Sequence, residues 1–523
     1  MSSTPHLRLQ LTWLWLALLV CLSFFWGIWS YPLFDLDEGA FAEATREMLE
    51  NNEYLITTLN GELRTDKPIL IYWLQAISVS IFGQHSWSYR LPSVIAAFFW
   101  VFATWKFTRE IAGDKTAKIA IILLAGCLEI SLIGKAAIAD ALLNLFLALT
   151  AYQIYRYWQK PQQKHILLTF VWMSLGFLTK GPVAIVIPFI TTLILALLDK
   201  RWDDWKRAIF SVQGWLIFLL LASPWYIAVW VVHGSDFLIG FFVEHNLSRF
   251  GRTHEGHGGV IYYYFLALPF VLMPFTGLFF SFIKHLKTHF SGNFERFALV
   301  WLGVALVIFS FSKTQLPHYI LYGCSPLIVA MALNFPKSPS RIALALPAIV
   351  FLLSLVLLPE ITKISMEQND DAYISAILSQ ADNVFDQTYK LATVLLLGLS
   401  ITIALFFWKH TMLSLVSTSL LVIIGFSLLL VPAIAKLQQS PVEMAGYKAR
   451  EIEGNIVAYA INMPSFSVYR QQVTPKRTPV AGDTVFTRIT GKQKLAETYG
   501  EERLETLFNK GGIMLVRIKP ALP

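Results

Sequence analysis

Apolar runs of roughly 17 to 25 residues recur along most of the chain, separated by short polar breaks, and each is long enough to cross a ~30 Å hydrocarbon core as a helix. They predict spans near 11–30, 91–108, 117–135, 140–157, 165–179, 182–198, 208–232, 261–283, 297–312, 317–334, 342–359, 391–408 and 412–432. The stretch 69–83 is shorter, and Tyr72, Trp73, Gln75 and Ser78 give it the character of a helix lying at the membrane surface. Beyond Pro432 the pattern changes. Strand-like pieces at 455–460, 484–488 and 512–518 alternate with helix-like pieces at 444–453 and 492–503, which predicts a small α/β domain. The expected architecture is an all-α polytopic membrane domain of about thirteen spans over residues 1–432, followed by an α/β domain over 433–523.

Composition excludes a soluble protein, because hydrophobic residues make up 55% of the 523 and charged ones only 15%. The net charge of +8 sits mostly in short loops between apolar runs, so it reports topology and not a nucleic-acid partner. With 69–83 on the surface, the cationic loops 106–118, 156–164, 200–207, 284–287, 337–341 and Lys409 all fall on one side, the cytoplasmic side by the positive-inside rule. If 69–83 crossed the bilayer, every one of them would face outward. The surface placement predicts a bacterial inner-membrane protein with its C-terminus, first loop (31–90) and loop 234–260 on the outer, periplasmic face. The apolar run from Leu11 to Trp29 lacks a small-residue cleavage site and reads as a retained first helix. Cys21, Cys127 and Cys324 lie in or beside apolar runs, which argues against a disulfide framework or a thiolate metal site.

The same placement gathers the chemically capable residues on one face. Asp37 and Glu38 open a helix-like run in the acid-rich loop from Phe34 to Pro68; they serve either as helix caps or as working carboxylates. Lys67, between Asp66 and Pro68, is either a snorkelling lysine or a point charge for a lipid phosphate, with Asp66 as a metal-ligand candidate. Asp140 opens a span, where a carboxylate is costly; it either pairs with Lys135 or belongs to a site. Lys180 and Lys313 interrupt apolar runs on the face that should be poor in cations, which favours anion binding. The loop 244–257 adds Arg249 to the phosphate-binding candidates and His245 to the metal candidates. Its histidines do not follow the HExxH zinc spacing.

Six ordered blocks, DExxxAExxREML (Asp37 to Leu49), NGxxxxDKP (Asn60 to Pro68), LTKGP (Leu178 to Pro182), PWY (Pro224 to Tyr226), EHNLxRF (Glu244 to Phe250) and FSKTQLPHY (Phe311 to Tyr319), resemble the GT-C fold lipid-sugar transferases. The resemblance is strongest to the lipid A aminoarabinose transferases, with protein O-mannosyltransferases as broader kin. It implies an inverting glycosyltransferase moving a sugar from a polyprenyl-phosphate donor to a periplasmic acceptor, either lipid A or a related glycolipid, or a protein. It further implies that Asp37 is the catalytic carboxylate, that Lys67 holds the donor phosphate, and that Asp140 lines the cavity. Asp66 stands where the family has Glu and would share a divalent metal, zinc or magnesium, with His245. Two departures, Gly39-Ala40 in place of an Arg and Asp66 in place of Glu, leave the sugar, the acceptor and the metal open. A polytopic transporter is the alternative from another class, but no pair of interrupted spans suggests inverted repeats.

Overall fold

The computed structural model describes residues 5–247, 259–337, 339–407 and 409–520. Among them six helices are long and apolar enough to cross a membrane: Ser86–Ala125, Trp202–His233, Asn293–Ser310, Arg341–Glu367, Gln387–Phe407 and Thr411–Gln438. The pair Leu128–Lys135 and Asp140–Gln159, bent by 116°, makes a seventh candidate, and Thr12–Phe25, Leu70–Phe82, Val183–Asp199 and Pro317–Leu333 are shorter apolar helices. Helices thus occupy the apolar runs, with two corrections. The single helix expected over 261–283 is two, Tyr263–Val271 and Thr276–Ile283, split around Pro274, which has no N–H to continue the ladder. The runs 91–108 and 117–135 are joined through a 40-residue helix, Ser86–Ala125, kinked at Gly113, and the second run breaks again after Ala125.

The helix Leu70–Phe82 buries Ile71, Tyr72, Gln75 and Val79 against the protein and exposes Ile77, Ile81 and Phe82. Its buried face packs on the first-loop helix Asp37–Asn51. The two are fastened to the membrane region by Arg90, whose five N–H groups are all used. Two go to the Glu38 carboxylate at 2.8 and 2.7 Å, and three to the carbonyls of Ile28, Tyr31 and Pro32. Glu38 also accepts from the amides of Phe34 and Ala137 at 2.9 and 2.7 Å. Both oxygens are therefore saturated, and the bend around Ala137 is tied to the first loop.

Between these helices lies a two-stranded hairpin, β1 (Thr57–Leu59) and β2 (Glu62–Arg64), joined through Asn60-Gly61. Glu47 holds it by accepting from the Thr58 hydroxyl and, at 3.2 Å, from the Gly61 amide. The C-terminal region contains a four-stranded sheet of β3 (Ile456–Ala458), β4 (Thr484–Arg488), β5 (Leu504–Lys510) and β6 (Ile513–Ile518), in the order β3-β4-β6-β5. β3 and β4 are parallel and the other pairs antiparallel. Phe466 stacks on Phe486 at 3.8 Å, packing the short helix Ser465–Arg470 against this sheet. The strand β5 was not expected; it begins where the predicted helix 492–503 stops at Tyr499.

The short helix also docks on the first loop. Asp35 accepts from the Ser465 amide at 3.0 Å and from its hydroxyl at 2.5 Å. A Cβ on Gly39 would lie 2.0 Å from Asp35 and 2.7 Å from the Ser465 amide, so this approach requires glycine. Burial pushes the Asp35 carboxyl up to about 7, against the Ser465 hydrogen bonds, which lower it. The folded protein therefore holds a proton that the unfolded chain releases between about pH 4 and pH 7. Stability should fall as pH rises through that window and level off above it. Asp35→Asn should flatten the dependence, which a pH series of thermal unfolding in detergent will show.

Candidate active site

The loop running out of β2 delivers cations to a cavity of about 360 Å³ beneath the C-terminal region. Arg64 and Asp66, two residues apart, form a bidentate pair at 2.5 and 3.1 Å, and the Lys67 ammonium lies 3.0 Å from the same carboxylate. Burial by itself raises the Asp66 carboxyl, but Arg64 and Lys67 outweigh it and hold it well below the usual carboxylate range. The Arg64 guanidinium also lies over the Phe41 ring at 4.9 Å. One carboxylate between two cations leaves this wall with a net positive charge.

A third cation arrives from the helix Gln163–Lys180. The helix stops because Gly181 takes φ +80°, where a Cβ would also lie 2.4 Å from the Phe241 ring, so Lys180 ends in the cavity wall. Its ammonium is 2.6 Å from Asp140 and 2.7 Å from the Tyr322 hydroxyl, over the Tyr319 ring at 5.0 Å. Asp140 also accepts from Tyr322 at 2.5 Å, with the His318 ring nitrogen at 3.5 Å. Asp140 is therefore a positioning group for Lys180. Lys135 does not reach it; its ammonium bonds the Leu22 carbonyl and the Ser427 hydroxyl instead.

Asp37 lines the same cavity in a different condition. It is exposed to the open space and, among the described residues, forms no hydrogen bond or ion pair. Glu38 is one residue on but points toward Arg90 with its oxygens saturated, and that leaves it nothing to accept from a substrate. Asp66, Lys67, Asp140, Lys180 and His245 line the cavity with Asp37; Lys313 is exposed and does not, while Thr314 beside it does. Arg249 lies outside the described residues. His318, from the FSKTQLPHY block, also lines the cavity, and three groups that sequence reasoning missed complete the site: Arg64, Tyr322 and, over the top, Lys476 from the C-terminal region.

Asp66 and His245 share the cavity, but among the described residues no three His, Cys, Asp or Glu side chains stand together as a metal site, and both Asp66 oxygens are engaged by cations. A divalent ion there would have to displace Arg64 and Lys67, so the residues present do not fit one. A second, mostly apolar cleft of about 280 Å³ opens off the cationic wall. Val183, Val186, Ile308 and Phe309 line it, with Lys67 and Lys180 at its inner end.

Residues 66–230 match the profile of the dolichyl-phosphate-mannose-protein mannosyltransferase family. The chain is 27% identical to an undecaprenyl phosphate-alpha-4-amino-4-deoxy-L-arabinose arabinosyl transferase of Shewanella sediminis, over 57% of this chain and 55% of that protein. It therefore matches little more than half the length of that relative. It is 30% identical to an uncharacterized protein of Aquifex aeolicus, over 62% of this chain and 73% of that one. The crystal structure of ArnT from Cupriavidus metallidurans bound to undecaprenyl phosphate superposes with a TM-score of 0.79 at 18% identity, covering 96% of this chain and 97% of that one. At that identity the likeness shows the fold. The chain therefore has the GT-C fold and is similar, over part of its length, to the dolichyl-phosphate-mannose-protein mannosyltransferases and to the aminoarabinose transferases.

Proposed function

We propose that this integral membrane protein transfers a sugar, with inversion, from a polyprenyl-phosphate donor to a cell-envelope acceptor, in the first instance lipid A or a related glycolipid. One observation carries the proposal: an unengaged carboxylate, Asp37, shares a cavity with Lys67, Arg64 and Lys180, and an apolar cleft leads away from those cations. A polyprenyl phosphate fits that arrangement, with its tail in the cleft and its phosphate on the lysines. As the anomeric carbon–oxygen bond breaks, the electron pair moves to the phosphate, and fixed cations stabilise the charge that grows there. Asp37 lies on the side from which the acceptor would attack. The arabinosyl relatives favour a pentose donor. The mannosyltransferase profile favours a second possibility, a protein hydroxyl as acceptor. The cationic loops support placing the site on the periplasmic face of a bacterial inner membrane.

Intact mass measurement of lipid A and of periplasmic proteins from strains with and without the protein tests this. A sugar-sized gain in either pool identifies the acceptor, and no gain in either or in the other envelope glycolipids removes the proposal. The Lys67 ammonium should act on the donor. A charge-assisted hydrogen bond contributes ~1.5–3 kcal/mol, so Lys67→Ala should lower kcat/KM for the donor by about 10- to 100-fold. Steady-state kinetics with a polyprenyl-phosphate sugar measure it; unchanged donor parameters count against phosphate binding.

A further inference from the structure

Asp37 and His318 also line another cleft, of about 370 Å³, which shares no lining residue with the donor cleft. It runs between Phe426 and Leu430 on one helix and Leu132 and Ile133 on another, so its outer walls are apolar. Its charge is the reverse of the donor cleft. The charged groups lining it are Asp35, Asp37, Glu38 and Glu129, and among the described residues no Lys or Arg lines it. Asp35 is bound to Ser465, and Glu38 to Arg90.

Glu129 is different. It lies on the helix Leu128–Lys135, deeply set within the membrane region, between this cleft and a neighbouring one lined by Tyr263 and Phe270. Among the described residues its carboxylate has no hydrogen bond and no ion pair. A carboxylate at such a position is costly unless it serves a ligand or a pathway. The ligand it suits is one that donates hydrogen bonds. A phosphate brought into this cleft would find, among the described residues lining it, no Lys or Arg to pair with, and the acids Asp37 and Glu129 in their place.

We infer that this cleft seats the acceptor, that Glu129 accepts a hydrogen bond from it, and that the group glycosylated is a hydroxyl of a membrane-anchored glycolipid and not a phosphate. This rests on the transferase function proposed above. The apolar walls favour a lipid-anchored acceptor over a protein segment. The acceptor oxygen then forms a bond to the anomeric carbon while the bond from that carbon to the phosphate oxygen breaks. The electron pair leaves with the polyprenyl phosphate, and the hydroxyl proton goes to the Asp37 carboxylate.

The linkage in the product decides the matter without any variant. Sugar-modified material from membranes overexpressing the wild-type protein is treated with mild acid, which cleaves glycosyl phosphates and spares ordinary glycosides. The expected result is a glycolipid that keeps its sugar. In a second measurement, Glu129→Gln should lower product yield by about tenfold and Glu129→Asp should restore part of it, with undecaprenyl phosphate still protecting each purified variant against thermal unfolding. An acid-labile sugar, a product found on protein, or full yield from Glu129→Gln each overturns the inference. If no Asp37-dependent product forms at all, the transferase function itself fails and takes this inference with it.

Discussion

Asp37→Asn should abolish transfer, by a factor of about 10³ or more, while the protein accumulates and melts as the wild type does. Asp37 is exposed to the cavity and, among the described residues, forms no hydrogen bond or ion pair, so an isosteric amide removes no direct contact that holds the fold. In the proposed reaction, what it removes is the base. Positioned general acid–base catalysis contributes roughly 10²- to 10⁴-fold, and Asn has no proton affinity to replace it. The loss should exceed that of Lys67→Ala, because Arg64 and Lys180 still line the cavity where the proposed donor phosphate would sit. The comparison that isolates the chemistry is Glu38→Gln. Glu38 neighbours Asp37 in sequence but carries the bidentate bond to Arg90, so its loss should lower stability first and activity only as a consequence. Intact masses of lipid A and periplasmic proteins, taken with thermal unfolding of each purified variant, separate the two. Near-normal transfer by Asp37→Asn would remove it from the chemistry.

That difference between two adjacent acids marks what the sequence made legible and what it did not. Apolar runs gave the helices almost everywhere, because a span must bury or expose to lipid some 20 residues whatever it packs against. Charge bias brought Asp37, Asp66, Lys67, Asp140, Lys180 and His245 to one face, and they do line one cavity. Direction was not legible. Consecutive helical residues point about 100° apart, so Asp37 faces the cavity and Glu38 the protein. Asp140 pairs with Lys180, 40 positions on, and not with Lys135, because the chain bends by 116° between them. Some signals were present but unread. Asn60-Gly61 between short apolar-polar runs is a hairpin signature, and the strand it creates ends at Arg64, which bonds Asp66 two residues on. Lys313 was picked as a lone cation at the right depth, yet it is the next residue, Thr314, that turns inward. Glu129 passed as one polar residue in an apolar run, although an intramembrane carboxylate is itself the signal.

Arg90→Ala should be among the most destabilising single changes in the chain. Arg90 has no solvent exposure, and the carboxylate it pairs with is almost as deeply buried. Breaking such a pair from one side leaves an uncompensated charge and costs about 3–5 kcal/mol. Here three carbonyls, of Ile28, Tyr31 and Pro32, lose their donor as well, at a further ~1–3 kcal/mol each if water does not reach them. Arg90→Lys should recover little, because a lysine has three donors and cannot reproduce the five-bond fork. The double variant Arg90→Ala/Glu38→Ala should be more stable than the sum of the single losses, since neither charge is then left alone. Thermal unfolding in detergent measures all of them, and Arg90→Ala melting within a degree or two of wild type would contradict the assignment. The effect on function follows from position. Arg90 fixes Glu38, Glu38 fixes the amides of Phe34 and Ala137, and those residues lie three positions from Asp37 and Asp140 respectively. Loosening this one guanidinium should therefore misplace both the base and the carboxylate that aims Lys180, and transfer should be lost in variants that still reach the membrane.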